Sequence, residues 1–169
     1  QHKVPVTMLA RTEAEANTLF TERRNNRFLP DYPFPESLIV TSHPTTALTE
    51  SDLVVIAVPS DRFRENIRQI RPHLRHGAVL LSATKGLELP AAKRMSQVLK
   101  DELPIRLHRG ICVLSGPNLA KEIINGKAAS TVIASQDAPS AHESQDALMS
   151  ASFRVYTSAD VLGVELAGA

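Results

Sequence analysis

Residues 53–58 read Leu-Val-Val-Ile-Ala-Val, six apolar residues with no polar interruption. A strand with one wet face alternates apolar and polar residues. An unbroken run of this kind predicts a strand covered on both faces, and hence a parallel sheet between layers of helix. The rest of the chain repeats the theme. Apolar runs at 4–9, 38–41, 78–81, 111–114, 131–134 and 154–156 predict further strands. Amphipathic stretches at 12–24, 60–74, 90–103, 117–125 and 140–149, a turn at 45–49 and a last segment after Ser158 or Asp160 predict helices between them. Thr12 followed by Glu15 marks a helix start, and Pro90 and Pro117 suit first helical turns. The proline-rich stretch 25–36 reads as a loop, and the polar stretch 135–144 as a surface loop and helix start. Strand and helix in regular alternation make an α/β doubly wound, mostly parallel sheet with helices on both faces, in one domain.

A formal net charge of +1 excludes a nucleic-acid binder that works by bulk electrostatics. Local clusters such as Arg23-Arg24 read as a solvated helix end rather than phosphate contacts. The one cysteine, Cys112, lies in an apolar run and reads as a buried small hydrophobe. A lone thiol fits a reducing compartment, and a cytoplasmic location is expected. No apolar run reaches the roughly 18 residues of a membrane span, and no signal peptide is seen. His73 and His76 could share a helix face, but no third ligand is near in sequence, so no metal site is expected.

In doubly wound sheets ligands bind beyond the carboxyl ends of the strands. Five segments stand there. Arg11 follows the first strand, where an acidic residue would hold a ribose hydroxyl; a guanidinium suits a 2′-phosphate instead, or simply closes a loop. Pro59-Ser60, with Arg64 beyond, ends the 53–58 run and opens a helix, which serves either capping or ligand binding. Ser82-Ala-Thr-Lys-Gly-Leu-Glu88 puts Lys85 directly after a buried strand with a permissive glycine next to it. Spacing alone suits a crevice cation and a surface lysine equally. Leu114-Ser-Gly-Pro117 is a strand-to-helix turn that could present free N–H groups to an anion, or be only a turn. The last segment carries Gly163, Ala167 and Gly168, small residues that permit close packing or close approach of a ligand. Glu165 beside them is a buried acceptor or a solvated side chain, and the solvated reading is preferred.

Taken together and in order, Ala57-Val-Pro-Ser60, Ser82 to Glu88, Leu114 to Pro117, Arg154-Val-Tyr-Thr157 and Gly163-Val-Glu-Leu166 resemble the bacterial-type NAD(P)-dependent glycerol-3-phosphate dehydrogenases over nearly the whole chain. The resemblance implies a Rossmann-like fold. It also implies hydride transfer between sn-glycerol 3-phosphate and dihydroxyacetone phosphate with NAD or NADP, supplying glycerol phosphate for phospholipid synthesis. It implies that Lys85 is catalytic and meets both cofactor and substrate. Gly116 and Asn118 would contact substrate. Ser60 and Ala120 would contact cofactor, with Arg11 and Phe28 on the adenosine side. Phe28 replaces a frequent tyrosine, Asn118 a usual serine or threonine, and Ala167 a common glycine. The implied partners are a small-molecule substrate and a second copy in a homodimer, with no nucleic acid and no membrane span.

Residues 1–169 are then expected to be a partial NAD(P)-binding domain. The family's first strand with its G-x-G-x-x-G turn would precede Gln1-His2-Lys3, which resemble the end of the intervening helix. An acid/base lysine and a helical substrate domain would follow Ala169. On that expectation the fragment by itself is inactive. The rivals are another NAD(P)-dependent dehydrogenase with a similar nucleotide domain, and a non-catalytic nucleotide-binding module.

Overall fold

The computed structural model describes residues 4–168, so Gln1, His2, Lys3 and Ala169 lie outside the described residues. The chain forms two compact units, one up to Glu50 and one from Ser51 onward.

In the first unit, strand β1 (Thr7–Leu9) leads into helix α1 (Glu13–Glu22). The Thr12 hydroxyl accepts from the Glu15 amide at 3.2 Å, the N-cap read from the sequence. The helix stops at Arg23, in the left-handed region at φ 50°. The Arg23 guanidinium donates to the carbonyls of Pro35, Leu38 and Glu36 at 2.5, 3.1 and 3.4 Å. It therefore closes the following loop rather than ending in solvent. The stretch expected to be a proline-rich loop contains a small antiparallel pair, β2 (Arg24–Asn25) and β3 (Leu29–Pro33). In a two-stranded pair each strand has a free edge, so the prolines of β3 need not donate to the ladder. Strand β4 (Ile39–Thr41) pairs in parallel with β1, Thr7 opposite Ile39, and helix α2 (Pro44–Leu48) closes the unit.

The second unit runs β5 (Leu53–Ile56), α3 (Ser60–Ile70), β6 (Val79–Ser82), β7 (Leu87–Glu88), β8 (Lys93–Arg94), α4 (Met95–Glu102), β9 (Ile111–Ser115), α5 (Ala120–Ile124), β10 (Ala129–Ala134), α6 (Ala138–Leu148), β11 (Phe153–Ser158) and α7 (Val161–Ala167). Five of these strands form one sheet in the order β11-β10-β9-β6-β5, parallel except where β9 meets β10. The α/β, mostly parallel reading holds. Strand β6, in the interior of the sheet, is buried at all four residues. On one face Val79, Leu81, Cys112, Ile133 and Val155 pack with Ala141 of α6. Strand periodicity turns Leu80, Ile111 and Val113 to the other face, and α4 packs on β9 while α3 packs on α4. Burying a leucine or isoleucine fully is worth about 1.5–3 kcal/mol, so these two layers dominate the unit's stability.

Three expectations are corrected. The 53–58 run is not covered on both faces: Val54 and Ile56 are buried, but Val55 is 47% exposed. Strand β5 is the last strand of this sheet, and α6 packs on β11, β10, β9 and β6. Pro90 does not open a helix. It sits in the turn of the β7–β8 hairpin, where Glu88 pairs with Lys93, and α4 begins only at Met95. Pro117 does not open one either. The Asn118 amide bonds the Gly116 carbonyl at 2.8 Å and the Leu119 amide the Pro117 carbonyl at 3.2 Å, a tight loop that delays α5 to Ala120.

Candidate functional site

The site of the second unit is built where three strands end. The β5 run stops at Pro59, and Ser60 begins α3. Strand β6 stops at Ser82 and feeds the loop that carries Lys85. Strand β9 ends at Ser115 and feeds the Gly116 turn. The first two corners are tied by Thr84. Its hydroxyl donates to the Val58 carbonyl at 2.8 Å and accepts from the Val58 amide at 3.3 Å. Next to it Gly86 has φ +93°, and a Cβ there would lie 3.3 Å from the Ser60 hydroxyl oxygen. A side chain would be strained at that φ and tight against Ser60, so the glycine brings the lysine loop down onto the start of α3.

Lys85 itself is exposed, and its ammonium donates to the Gly116 carbonyl at 3.0 Å. The two motifs, 31 residues apart in the chain, meet at that bond. Gly116 is required for packing. A Cβ would stand 2.9 Å from both the Ser130 carbonyl oxygen and the Thr131 hydroxyl. The Asn118 amide donates to that same hydroxyl at 3.1 Å, which in turn donates to the Ser115 carbonyl at 2.9 Å. The Asn118 carbonyl oxygen and the Ser82 hydroxyl are buried without a hydrogen-bond partner among the described residues. Such groups cost free energy unless something pairs with them.

Ser82, Thr84, Lys85, Ser115, Glu165 and Gly168 line a small cavity of about 10 Å³, room for about one water. Helix α7 closes it. Glu165, preferred above as solvated, is in fact nine-tenths buried. Its carboxylate accepts from the Ser96 amide at 2.8 Å, the Ser96 hydroxyl at 2.5 Å and the Arg94 guanidinium at 2.6 Å. It caps the start of α4 across 69 residues, which no local pattern signals. Gly163 and Gly168 serve close packing, while Ala167 is exposed. Gly163 presses on the Asp160 carboxylate that caps the helix, and Gly168 on the Ser115 side chain.

A second set of charges sits behind the lysine loop. Arg64 reaches Glu88 with two parallel bonds of 2.6 and 2.7 Å, Glu102 at 2.6 Å and Asp101 at 3.0 Å. These hydrogen bonds, led by Glu88, push the Arg64 guanidinium further up from its already high value. In return Arg64 holds the Glu88 carboxyl below the usual carboxylate range, while Arg68, with Arg64, does the same for the buried Glu102. Burial pushes the Cys112 thiol up, consistent with an inert core residue.

Of the expected positions, the structure brings Ser60, Lys85, Gly116 and Asn118 to one end of the sheet. Ala120 opens α5, exposed, two residues past Asn118. In the first unit Phe28 is 62% exposed, with the Arg27 guanidinium 4.9 Å from its ring centroid. It borders an open groove of about 420 Å³ that Leu19, Arg24, Asn26 and Arg27 also line. Arg11 lies outside that lining, and its backbone amide and guanidinium turn to Glu15 at 3.2 and 3.7 Å. The sequence places Ser82 and Glu88 in a motif, Arg64 after Ser60 and Glu165 as one of two alternatives, but does not signal the burial of Ser82, the Arg64–Glu88 pairing or the contacts of Glu165, since their partners are 24 or more residues away or absent among the described residues. The sheet end offers an exposed cation, a buried hydroxyl that can donate and a buried amide oxygen that can only accept. It fits an anionic, oxygen-rich ligand. No helix among the described residues is long and apolar enough to cross a membrane.

Comparison with known proteins shows the family. A glycerol-3-phosphate dehydrogenase [NAD(P)+] of Dehalococcoides mccartyi is 47% identical over 169 residues, covering 99% of this chain and 47% of its own length. One from Nocardia farcinica is 46% identical, covering 97% of this chain and 50% of its own length. The crystal structure of glycerol-3-phosphate dehydrogenase from Coxiella burnetii superposes with a TM-score of 0.87 at 30% identity, covering 96% of this chain and 49% of that one. The chain thus spans about half the length of the curated relatives it matches. With residues 1–141 matching the model of the NAD-dependent glycerol-3-phosphate dehydrogenase N-terminus, the chain belongs to that family.

Proposed function

We propose that residues 1–169 are part of the NAD(P)-binding domain of an oxidoreductase that interconverts sn-glycerol 3-phosphate and dihydroxyacetone phosphate, with Lys85 as a catalytic residue. The observation that carries the proposal is the bond between the Lys85 ammonium and the Gly116 carbonyl at 3.0 Å. It sets a cation at the mouth of the strand ends, beside acceptors and donors that have no internal partner. When bound, a nicotinamide ring supplies the hydride donor or acceptor. The rest falls to the side chains. Lys85 gives up its bond to the carbonyl and donates to the substrate's C2 oxygen or phosphate. The Asn118 carbonyl oxygen accepts from a substrate hydroxyl. Gly116, where a side chain would meet Ser130 and Thr131, lets the turn that carries Asn118 sit against β10. Ser60 and Ala120 are assigned to the cofactor, as are Arg11 and Phe28 on the adenosine side, where the ring of Phe28 is 62% exposed. A cytoplasmic location and a homodimer belong to the same proposal; the lone, buried Cys112 fits a reducing compartment and bears on the location alone.

The test uses the full-length protein and follows oxidation of NADH and of NADPH with dihydroxyacetone phosphate. Lys85→Ala should lower kcat/KM by about 10²–10⁴-fold, the usual cost of removing a group that assists proton or charge movement. Its circular dichroism and melting point should match the parent, because Lys85 is an exposed loop residue. Activity within about threefold of the parent would remove Lys85 from the mechanism.

A further inference from the structure

The motif that ends at Glu88 has a second half that the proposed reaction does not use. Lys85 is exposed, and a long ammonium side chain is flexible, so something must fix the loop from which it projects. We propose that Arg64 and Glu88 are a positioning pair that sets where the Lys85 ammonium sits. The inference rests on the proposed role of Lys85.

The geometry is a matched register. Ser60 and Arg64 are four apart on α3, so they share one face of the helix. Gly86 and Glu88 are two apart on the lysine loop and the strand it enters. Gly86 settles on Ser60, and Glu88 is gripped by Arg64. Thr84 completes the series on the other side of Lys85 through Val58. The lysine is thus held from both flanks, by a hydroxyl one residue before it and a carboxylate three residues after. The Glu88 contact is bidentate, which fixes direction as well as distance. The anchor is itself stiff, because Glu102 and Asp101 of α4 hold the same guanidinium. Removing the Glu88 charge leaves Arg64 two carboxylate partners, so the change falls on the loop more than on the helix pair. Both side chains are about four-fifths buried, whereas Lys85 is exposed.

A misplacement of about 1 Å at a reacting group can cost about 100-fold in rate. In the full-length enzyme Glu88→Gln should therefore lower kcat by about 10- to 100-fold. The effect should disappear, to within about twofold, in a Lys85→Ala background, because the pair acts only through that lysine. A readout without cofactor accompanies it. The rate at which acetic anhydride labels Lys85, followed by peptide mass spectrometry, should change by about threefold or more in Glu88→Gln while Lys121 and Lys127 keep theirs. Arg64→Lys, which keeps the charge and loses the fork, should reproduce both results. Unchanged labelling and kcat in Glu88→Gln, or losses that multiply with Lys85→Ala, would overturn the inference. So would failure of both Glu88→Gln and Arg64→Lys to fold, since the pair would then serve the fold alone. The Lys85→Ala single variant reads the proposed function by itself. If it stays active, that reading falls; if it is inactive and Glu88→Gln behaves as the parent, only the positioning role falls.

Discussion

Glu165→Ala should loosen the joint between α7 and α4 by about 3 kcal/mol. The figure comes from the three bonds that the carboxylate accepts, from the Ser96 amide, the Ser96 hydroxyl and the Arg94 guanidinium. A hydrogen bond to a charged group nets about 1.5–3 kcal/mol. The three share one carboxylate and do not add. Arg94 keeps 21% of its side chain exposed, so water recovers part of its loss. What remains is near the lower end of the roughly 3–5 kcal/mol measured when one partner of a buried ion pair is removed. Because α7 packs on β9 and caps α4 through this single residue, the loss appears as local opening. Hydrogen exchange of α7 amides, such as Val164 bonded to the Asp160 carbonyl at 3.2 Å, is the direct assay. At about 1.4 kcal/mol per decade, 3 kcal/mol speeds exchange by about 100-fold. Glu165→Gln keeps an acceptor for Ser96 and should cost about 1–2 kcal/mol. Acceleration of less than about fivefold in Glu165→Ala would refute the reasoning, and Glu165 would be a bystander in spite of its burial.

Two further outcomes follow from the same geometry. Gly116→Ala places a methyl 2.9 Å from the Ser130 carbonyl oxygen and the Thr131 hydroxyl, contacts that only a backbone shift can relieve. It should cost about 1–3 kcal/mol by chemical denaturation and lower activity with dihydroxyacetone phosphate, since the carbonyl that Lys85 meets moves too. The carboxyls of Glu88 and Glu102 lie lower in the folded protein than in the unfolded chain. Their contribution to stability is thus fully present above the ordinary carboxylate value, about 4.3, and is lost as pH falls through the lower folded values. The melting point should be flat from about pH 7 to 5 on this account and fall below about pH 4, with Glu102→Gln flattening the acid limb.

Local sequence determined a good deal. Covalent periodicity is local, so apolar runs and caps located most strands and the start of α1, where Thr12 accepts from the amide three residues on, while α6, expected from Ser140, begins at Ala138. It also placed Lys85 and Gly116 at strand ends, because a strand's exit is written in the residues that follow it. What lay beyond it depended on partners distant in the chain. Whether Val55 is covered depends on which strands α6 packs against. Whether Pro90 opens a helix depends on a hairpin whose Glu88 is claimed by Arg64, 24 residues earlier. Glu165 looks like any surface glutamate until Ser96 and Arg94 arrive beside it. Burial and charge pairing are properties of neighbours in space, and the free energy of a side chain is set by those neighbours rather than by the residues next to it in the chain.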